Sequence, residues 1–305
     1  MTDLSALTDD PMAHARKMES PAYKRAAYVV LRPLLDRLAR RHLSATMLTL
    51  PALTLVLPER GFPLATRRGW LARYIELRGA RLLIQGTGSG WDTLSWLGWG
   101  ARPVGVELYP FLAAWNQVGA RGPRFVQTSL TALLFTNGAF DAAASDAVFE
   151  HCRDLDAVLA ETVRVLRPGG YVYATYGPLW YCWGGDHFSG IGGLEYGYSH
   201  VERSRREYDE YVAAFASAEA DAQGGARYVA LDLFSRLTTQ QYLDAFARAR
   251  LTVVDLRLEI SAQAVAFRRR WPGRAAMITR RCGITPDDLV VKANFVILRS
   301  QSPIV

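Results

Sequence analysis

The fold is decided by residues 81–107, RLLIQGTGSGWDTLSWLGWGARPVGVE. The stretch opens with a short apolar run at residues 82–84, which is typical of a buried parallel strand. Three glycines, Gly86, Gly88 and Gly90, follow this run at once. Because glycine has no side chain and tolerates positive φ angles, this loop allows a ligand to contact the main chain.

The loop is followed by the rest of a βαβ unit. Residues 91–99 predict a helix, and residues 103–108 predict a second strand that carries Glu107. Glu107 lies about 20 residues past the loop, where such units place an acid beside ribose hydroxyls. A dinucleotide-binding loop has its third glycine three positions after the second, but here the interval is two and Trp91 occupies the expected position. The spacing therefore favours a nucleoside ligand without phosphates.

Further motifs downstream resemble those of the class I S-adenosylmethionine (SAM) dependent methyltransferases. Besides the glycine loop, they are Phe140-Asp141, the segment 145–151 (SDAVFEH) and the segment 164–170 (RVLRPGG). In order, they are similar to that family's fourth strand, the loop after it, and the turn from a helix into the fifth strand. The resemblance covers residues 70–180 well and the rest of the chain loosely.

The resemblance and the apolar patterns predict an α/β fold, a doubly wound and mostly parallel seven-stranded sheet with helices on both faces. The strands are predicted at residues 82–84, 103–108, 124–128, 140–145, 171–176, 251–260 and 289–298. The helices are predicted at residues 23–43, 64–77, 91–99, 110–118, 155–166, 202–222 and 237–249. Asp154 is the expected N-cap of its helix, and Pro33 is expected to kink or split the first helix. The resemblance implies that the last strand is antiparallel.

Two parts of the chain extend this domain, which is predicted to span residues 70–305. Residues 1–69 are expected to form a helical extension, with fraying at 1–20 and an apolar connector at 47–57. The helix at 23–43 is basic and amphipathic, so it is expected to cap the ligand cleft, with a position on a membrane surface as the alternative. Residues 177–231 are rich in glycine and aromatic residues, which predicts an inserted lid on the substrate side.

The resemblance implies a set of residues for SAM, whose product is S-adenosylhomocysteine (SAH). The loop from Gln85 would hold the methionine part, and Glu107 would bind the ribose. Ser129 and Leu130 would flank the adenine. Ser145 and Asp146 would face the methionine amine or the acceptor. The full set is Gln85, Gly86, Thr87, Gly88, Gly90, Glu107, Leu108, Ser129, Leu130, Ser145 and Asp146. The chain departs from the family pattern at Ile84 and Ser129, where that family often has acids.

Methyl transfer from a sulfonium mainly requires alignment of donor and acceptor and exclusion of water, so no metal is expected. A hydroxyl acceptor also needs a base, and histidine is suited to that role near neutral pH. His187 is the first candidate, because its glycine-rich segment can fold over the donor methyl group; the alternative is a histidine that fixes the loop. His151 is a weaker candidate and His200 is left open.

Aromatic residues of the insertion are candidates for substrate binding, through their π faces. They are Trp180, Tyr181, Trp183 and Tyr196. Packing in the core is the alternative for these side chains, because aromatic residues beside a sheet are commonly buried.

Composition limits the classes of protein to consider. The chain has 305 residues, of which 50% are hydrophobic, enough for a full core. It lacks an apolar run of membrane-spanning length, and its start, Met1-Thr2-Asp3, is unlike a secretory signal. The three cysteines are scattered without metal-binding spacing. These features predict a cytoplasmic protein.

The predicted function is methyl transfer from SAM to a small molecule, at an oxygen of a specialised metabolite or sugar. One alternative is a non-catalytic binding or partner protein that keeps the fold, which the missing acids would suit. Another is an RNA methyltransferase, which rests only on the net charge of +7. Nucleic acid is not the expected partner, and the N-terminal helices are a candidate homodimer interface.

Overall fold

The computed structural model describes residues 22–59, 69–217 and 225–301. Eight strands form one sheet in the order β1-β7-β8-β6-β5-β2-β3-β4. They are β1 (Leu53–Pro58), β2 (Arg81–Gln85), β3 (Arg102–Glu107), β4 (Arg124–Gln127), β5 (Phe140–Asp146), β6 (Leu166–Tyr176), β7 (Leu251–Ile260) and β8 (Val291–Ser300). Only β8 runs antiparallel to its neighbours, as expected.

Helices and short helical turns connect these strands. The described helices are α1 (Ala22–Arg40), α2 (Ala45–Leu48), α3 (Trp91–Leu97), α4 (Leu112–Gly119), α5 (Leu155–Val165), α6 (Ser199–Glu202), α7 (Arg205–Phe215), α8 (Gly225–Leu231), α9 (Thr239–Arg248), α10 (Ala262–Arg270) and α11 (Pro272–Cys282). Two 3₁₀ turns lie at Phe149–His151 and Leu194–Tyr196. Among the described residues, no helix has both the length and the apolar character needed to cross a bilayer.

The sheet has its core on both faces, which confirms a doubly wound α/β arrangement. Leu83 packs into the cluster that contains α5 and α9 side chains, such as Leu159 and Phe246. Its neighbours in β2 point the other way, into the cluster around Trp96 of α3. Because successive residues of a strand face opposite sides, one apolar run fills both cores.

The prediction of seven strands was wrong, because an eighth strand, β1, begins within the expected connector at residues 47–57. This strand pairs in parallel with β7, from Leu53 opposite Leu256 to Pro58 opposite Ile260. Thr54 donates a hydrogen bond to Asp255, which ties the new edge to the sheet. Residues 53–57 are apolar except for Thr54, and Thr54 and Val56 are β-branched, which favours a strand.

Helix α1 lies against this edge. It continues through Pro33, and the backbone N–H of Val56 donates to Asp36 at 2.7 Å. β1 is five strand positions from β2, or about 24 Å at the usual strand spacing. The described part of α1 therefore supports the far edge of the sheet, which differs from the expected cap over the ligand cleft.

Two other predicted helices are shorter than expected. Residues 69–71 are helical, but turns begin at residue 72, so the helix predicted to reach residue 77 was wrong there. The helix predicted at 202–222 is divided into α6 and α7 at Ser204, which caps α7 together with Glu207. α6 ends at Glu202. Ser204 starts α7, because its hydroxyl accepts the Glu207 N–H. The predicted fraying at 1–20 and the ends of these two predictions at 64–68 and 218–222 lie outside the described residues.

The crossover from β7 to β8, which carried no sequence prediction, holds α10 and α11. Ser261 caps α10 by accepting from the Ala264 N–H at 3.2 Å. Pro272 occupies the first turn of α11, and Gly283 ends it with a left-handed conformation. These are the usual start and stop signals of helices.

Candidate functional site

The site lies where the order of the strands reverses. The chain runs outward from β2 through β3 to β4 and then returns to β5 on the other side of β2. Gln85 at the end of β2 pairs with Ser145 of β5, so the loops after these strands lie side by side. Open α/β sheets bind ligands at this type of position, outside the carboxyl ends of the strands.

The loop after β2 and the loop after β5 are in close contact at Gly86. A Cβ atom added to Gly86 would lie 2.3 Å from Val148, and Gly86 has a φ angle of +67°. Gly88 also has a positive φ angle, but its missing side chain would face open space. Gly86 is thus needed for packing, while the missing side chain of Gly88 leaves space for a ligand.

Glu107 is held in a fixed position at the end of β3. Its Oε2 atom accepts from the Gly88 N–H at 3.0 Å, and its Oε1 atom accepts from the Leu108 N–H at 2.8 Å. Burial raises the pKa of Glu107, while these backbone hydrogen bonds act to lower it. Each carboxylate oxygen can accept a further hydrogen bond, so the pair suits two adjacent hydroxyls.

A cavity of about 290 Å³ lies in front of Glu107. This volume is close to the lower end of the range for small-molecule sites, about 300–1,000 Å³. Its walls are made by Gly86, Gly88, Glu107, Tyr109, Phe111, Ala147, Val148, His151, Arg227, Tyr228, Leu231 and Leu233. The loops after β2, β3 and β5 thus share one cavity with α8 of the insertion.

Of the predicted cofactor residues, Gly86, Gly88 and Glu107 line this cavity. Several others have structural partners instead. Gln85 donates to Thr162 at 2.8 Å inside the core, and Thr87 bonds Thr93. These two side chains connect the loop to the neighbouring helices.

The remaining predicted cofactor residues lie outside the lining of the cavity. A Cβ atom on Gly90 would lie 2.6 Å from the Phe125 ring, so this glycine allows close packing. Asp146 accepts from Tyr173 at 2.9 Å and from Thr175 at 2.8 Å. The Ser129 hydroxyl bonds Thr131 at 2.8 Å. The other three are Leu108, which is exposed, Leu130, which packs against the core, and Ser145, which is buried.

The sequence did not identify most of the cavity wall. Tyr109 and Phe111 follow β3 directly and could have been found from their position after Glu107. Arg227 and Tyr228 come from α8, about 120 residues later in the chain, as the numbering shows. The Nη2 atom of Arg227 is buried and has no hydrogen-bond partner among the residues that the structure describes. A buried guanidinium nitrogen without a partner indicates a site for an anionic or carbonyl oxygen.

His200, which was left open as a base, has a structural role. Its Nε2 atom lies 2.7 Å from the Trp180 carbonyl oxygen, and its Nδ1 atom lies 3.0 Å from the Ser189 hydroxyl. The side chain is 1% exposed and lies 3.6 Å from Asp186. Because both ring nitrogens are occupied by the protein, His200 fixes the insertion and has no nitrogen left for a substrate.

His151 and His187 lie together beside the cavity. Their rings are stacked at 4.9 Å, and Tyr228 stacks on both. Burial lowers the pKa of His187 to about 3 and also lowers the pKa of His151. An imidazole with so low a pKa is neutral near pH 7 and is a weak base. The role of His187 as a base thus stays a prediction that its surroundings do not favour. The neutral ring of His187 does have a lone pair that can bind a ligand.

The predicted substrate-binding aromatic residues have different surroundings. Trp180 lines a second cavity of about 630 Å³, together with Phe234 and Arg236. The Trp183 indole donates to the Leu194 carbonyl at 3.0 Å, and Tyr196 stacks on another tyrosine of the insertion. These last two side chains pack inside the insertion. Tyr181 is half-buried, and burial raises its pKa.

Comparisons with known proteins match this chain to methyltransferases. A family model described as "Methyltransferase domain" matches residues 83–174, which run from β2 into β6. An uncharacterized methyltransferase of Mycolicibacterium paratuberculosis (strain ATCC BAA-968 / K-10) is 30% identical over 185 residues, covering 59% of this chain and 69% of that protein. An uncharacterized methyltransferase of Mycobacterium sp. (strain JLS) is 32% identical over 144 residues, covering 47% of this chain and 54% of that protein. The chain thus spans about half the length of the second relative.

Among solved structures, a SAM-dependent methyltransferase of Mesorhizobium loti aligns with a TM-score of 0.48 and 16% sequence identity. The alignment covers 77% of this chain and 96% of that one.

Proposed function

This chain belongs to the class I SAM-dependent methyltransferases, and from that membership we propose that it transfers a methyl group from SAM to an oxygen of a small molecule. The observation that carries the proposal is Glu107, whose two carboxylate oxygens are fixed by backbone N–H groups in front of a cavity. When bound, SAM supplies an activated methyl group on a sulfonium.

The residues around the cavity fit this cofactor. Glu107 is suited to accept both ribose hydroxyls, and Gly88 leaves room for the ligand beside the main chain. Tyr109 and Phe111 offer aromatic walls next to Glu107 for the adenine, a role that had been expected of Ser129 and Leu130. Arg227 offers its unpartnered Nη2 atom to the carboxylate of the methionine part.

The insertion supports a small acceptor. Helix α8 contributes Arg227, Tyr228 and Leu231 to the cavity, which supports the predicted lid over the cofactor. Leu233 of the first cavity is next in sequence to Phe234, which lines the second. We assign the second cavity, with Trp180, to the acceptor. Enclosure on this side would exclude water and hold donor and acceptor in line.

Replacing Arg227 tests the assignment of the methionine carboxylate. Arg227→Gln removes a charged hydrogen bond worth about 1.5–3 kcal/mol, so the affinity for SAH should fall about 10-fold or more. Calorimetric titration with SAH measures the effect. Arg206→Gln is the matched control, since this arginine of the same insertion has 86% of its side chain exposed. Equal affinity of Arg227→Gln and wild type would remove Arg227 from the cofactor site.

The function itself is tested in two steps. Calorimetric titration of the full chain with SAH should give saturable binding with one site per chain. Small molecules with hydroxyl or carboxylate groups, and amines for comparison, are then incubated with SAM that carries a labelled methyl group. Transfer of label to the oxygen acceptors is the expected result. Folded wild-type protein that fails to bind SAH would instead support a non-catalytic partner protein.

A further inference from the structure

Three side chains with metal-ligand atoms meet beside the cofactor cavity. Glu150, His151 and His187 each offer one such atom, and these atoms lie within 4.8 Å of one another. Glu150 and His151 belong to the 3₁₀ turn after β5, while His187 belongs to the insertion. Two separate segments therefore build the cluster, and neither would form it alone.

Within the described part of the chain, two of the three side chains have a buried polar atom without a hydrogen-bond partner. Glu150 is 2% exposed; its Oε1 atom accepts from the Gly177 N–H at 3.0 Å, and its Oε2 atom accepts from no described residue. The Nε2 atom of His187 is also buried without a hydrogen bond to any described residue. A buried polar atom left unsatisfied costs about 1–3 kcal/mol, so two of them in one cluster indicate a shared ligand.

The third side chain is already oriented for binding. The Nδ1 atom of His151 lies 2.8 Å from the Leu233 carbonyl oxygen. A carbonyl oxygen only accepts, so Nδ1 carries the proton and the lone pair is on Nε2. Metal-bound histidines usually have this outer hydrogen bond to a carbonyl or carboxylate. His151 also lines the cavity, which places the cluster at its wall.

The backbone of His187 is held in an uncommon conformation. Its φ angle is +63°, in the left-handed region that few residues other than glycine adopt. The preceding residue, Asp186, accepts from the Ser189 N–H at 2.7 Å and from its hydroxyl at 2.8 Å. A Cβ atom on Gly225 would lie 2.2 Å from the His187 carbonyl oxygen, so α8 packs directly on this backbone. Strained residues held this firmly are concentrated at functional sites.

We propose that Glu150, His151 and His187 bind a divalent first-row transition-metal ion at the wall of the cofactor cavity. Two imidazoles and a carboxylate favour Zn²⁺, Fe²⁺ or Co²⁺, whereas Mg²⁺ and Ca²⁺ prefer oxygen ligands alone. Ligands at about 2.0–2.2 Å from one ion lie roughly 3–4 Å apart, so shifts of about 1 Å close the site. Three protein ligands leave a coordination position open. Phe234, which lines the second cavity, packs against the rings of His151 and His187. If the proposed function holds, an acceptor in the second cavity places an oxygen at the open position.

Metal binding is tested on the full chain after removal of metal with a chelator. Calorimetric titration with Zn²⁺ and absorption of the Co²⁺ form are measured for wild type, Glu150→Gln and His187→Asn. Asparagine is chosen because it tolerates the left-handed backbone conformation. His42→Asn is the matched control, since it makes the same substitution at a histidine outside the cluster.

Wild type and His42→Asn should bind one Zn²⁺ per chain. Each ligand variant should bind at least about 100-fold more weakly, because even changes to outer-shell partners cost 10–100-fold. The proposed site would be overturned if wild type did not bind Zn²⁺, or if both ligand variants bound Zn²⁺ as tightly as wild type. SAH titrations of the same proteins separate the two proposals: a chain that binds SAH but not Zn²⁺ loses only the metal site. Ligand variants that still bind SAH are folded.

Discussion

Glu107→Ala is expected to weaken the binding of SAH by at least about 100-fold. The substitution removes two hydrogen bonds from a charged acceptor, each worth about 1.5–3 kcal/mol. The carboxylate is positioned before the ligand arrives, because Gly88 and Leu108 already hold its two oxygens. Little ordering is then required on binding, so the loss should appear almost fully in the affinity. Calorimetric titration measures it.

Glu210→Ala is the matched control, because it removes the same group from α7, where the carboxylate is 67% exposed. Its affinity for SAH should equal that of wild type. The free energy of unfolding of Glu107→Ala, measured in urea, shows whether the variant is folded. A folded Glu107→Ala protein with wild-type affinity would show that the ribose is bound elsewhere.

The second large effect is expected at Asp186, which holds the insertion together. Its carboxylate accepts from the backbone N–H groups of Phe188 and Ser189, from the Ser189 hydroxyl and from Tyr208. It is fully buried, and His200 lies 3.6 Å away. Asp186→Ala leaves these donors buried without an acceptor, so the free energy of unfolding should fall by about 3–5 kcal/mol.

Urea unfolding measures this loss, and limited proteolysis shows whether the insertion opens first. Asp209→Ala is the control, since its pair with Arg205 is exposed and should contribute less than about 1 kcal/mol. Asp186→Asn keeps one acceptor oxygen, so its loss in free energy of unfolding should lie between those of Asp186→Ala and Asp209→Ala. A loss below about 1 kcal/mol for Asp186→Ala would show that the insertion does not depend on this carboxylate.

Local patterns were sufficient for the centre of the fold. The apolar run of β2, the glycine loop and Glu107 lie within 27 residues, and each has a direct physical reason to be where it is. Asp154 was identified as an N-cap, and it accepts from the Ala157 N–H at 2.9 Å. These features depend on neighbours in sequence, which is why a single sequence predicts them.

Features that depend on distant contacts were not predictable in this way. β1 exists because residues 53–58 pair with β7, about 200 residues later, and its own sequence resembles an apolar connector. Arg227 enters the cavity because α8 lies beside the loops after β2 and β3, which are more than 100 residues away in the chain. Trp183 was expected at the substrate, but its ring fills the space above Gly190 and Gly197. An aromatic residue among glycines looks the same in sequence whether it binds a ligand or packs against the glycines.

A nucleoside cofactor is expected to bind between the loops after β2 and β3, held by Glu107. A crystal structure of the protein with SAH tests this expectation. Both ribose hydroxyls are expected within hydrogen-bond distance of the Glu107 carboxylate, with the adenine beside Tyr109 or Phe111. SAH bound at another place, with Glu107 making no contact to the ribose, would show that Glu107 does not hold the cofactor.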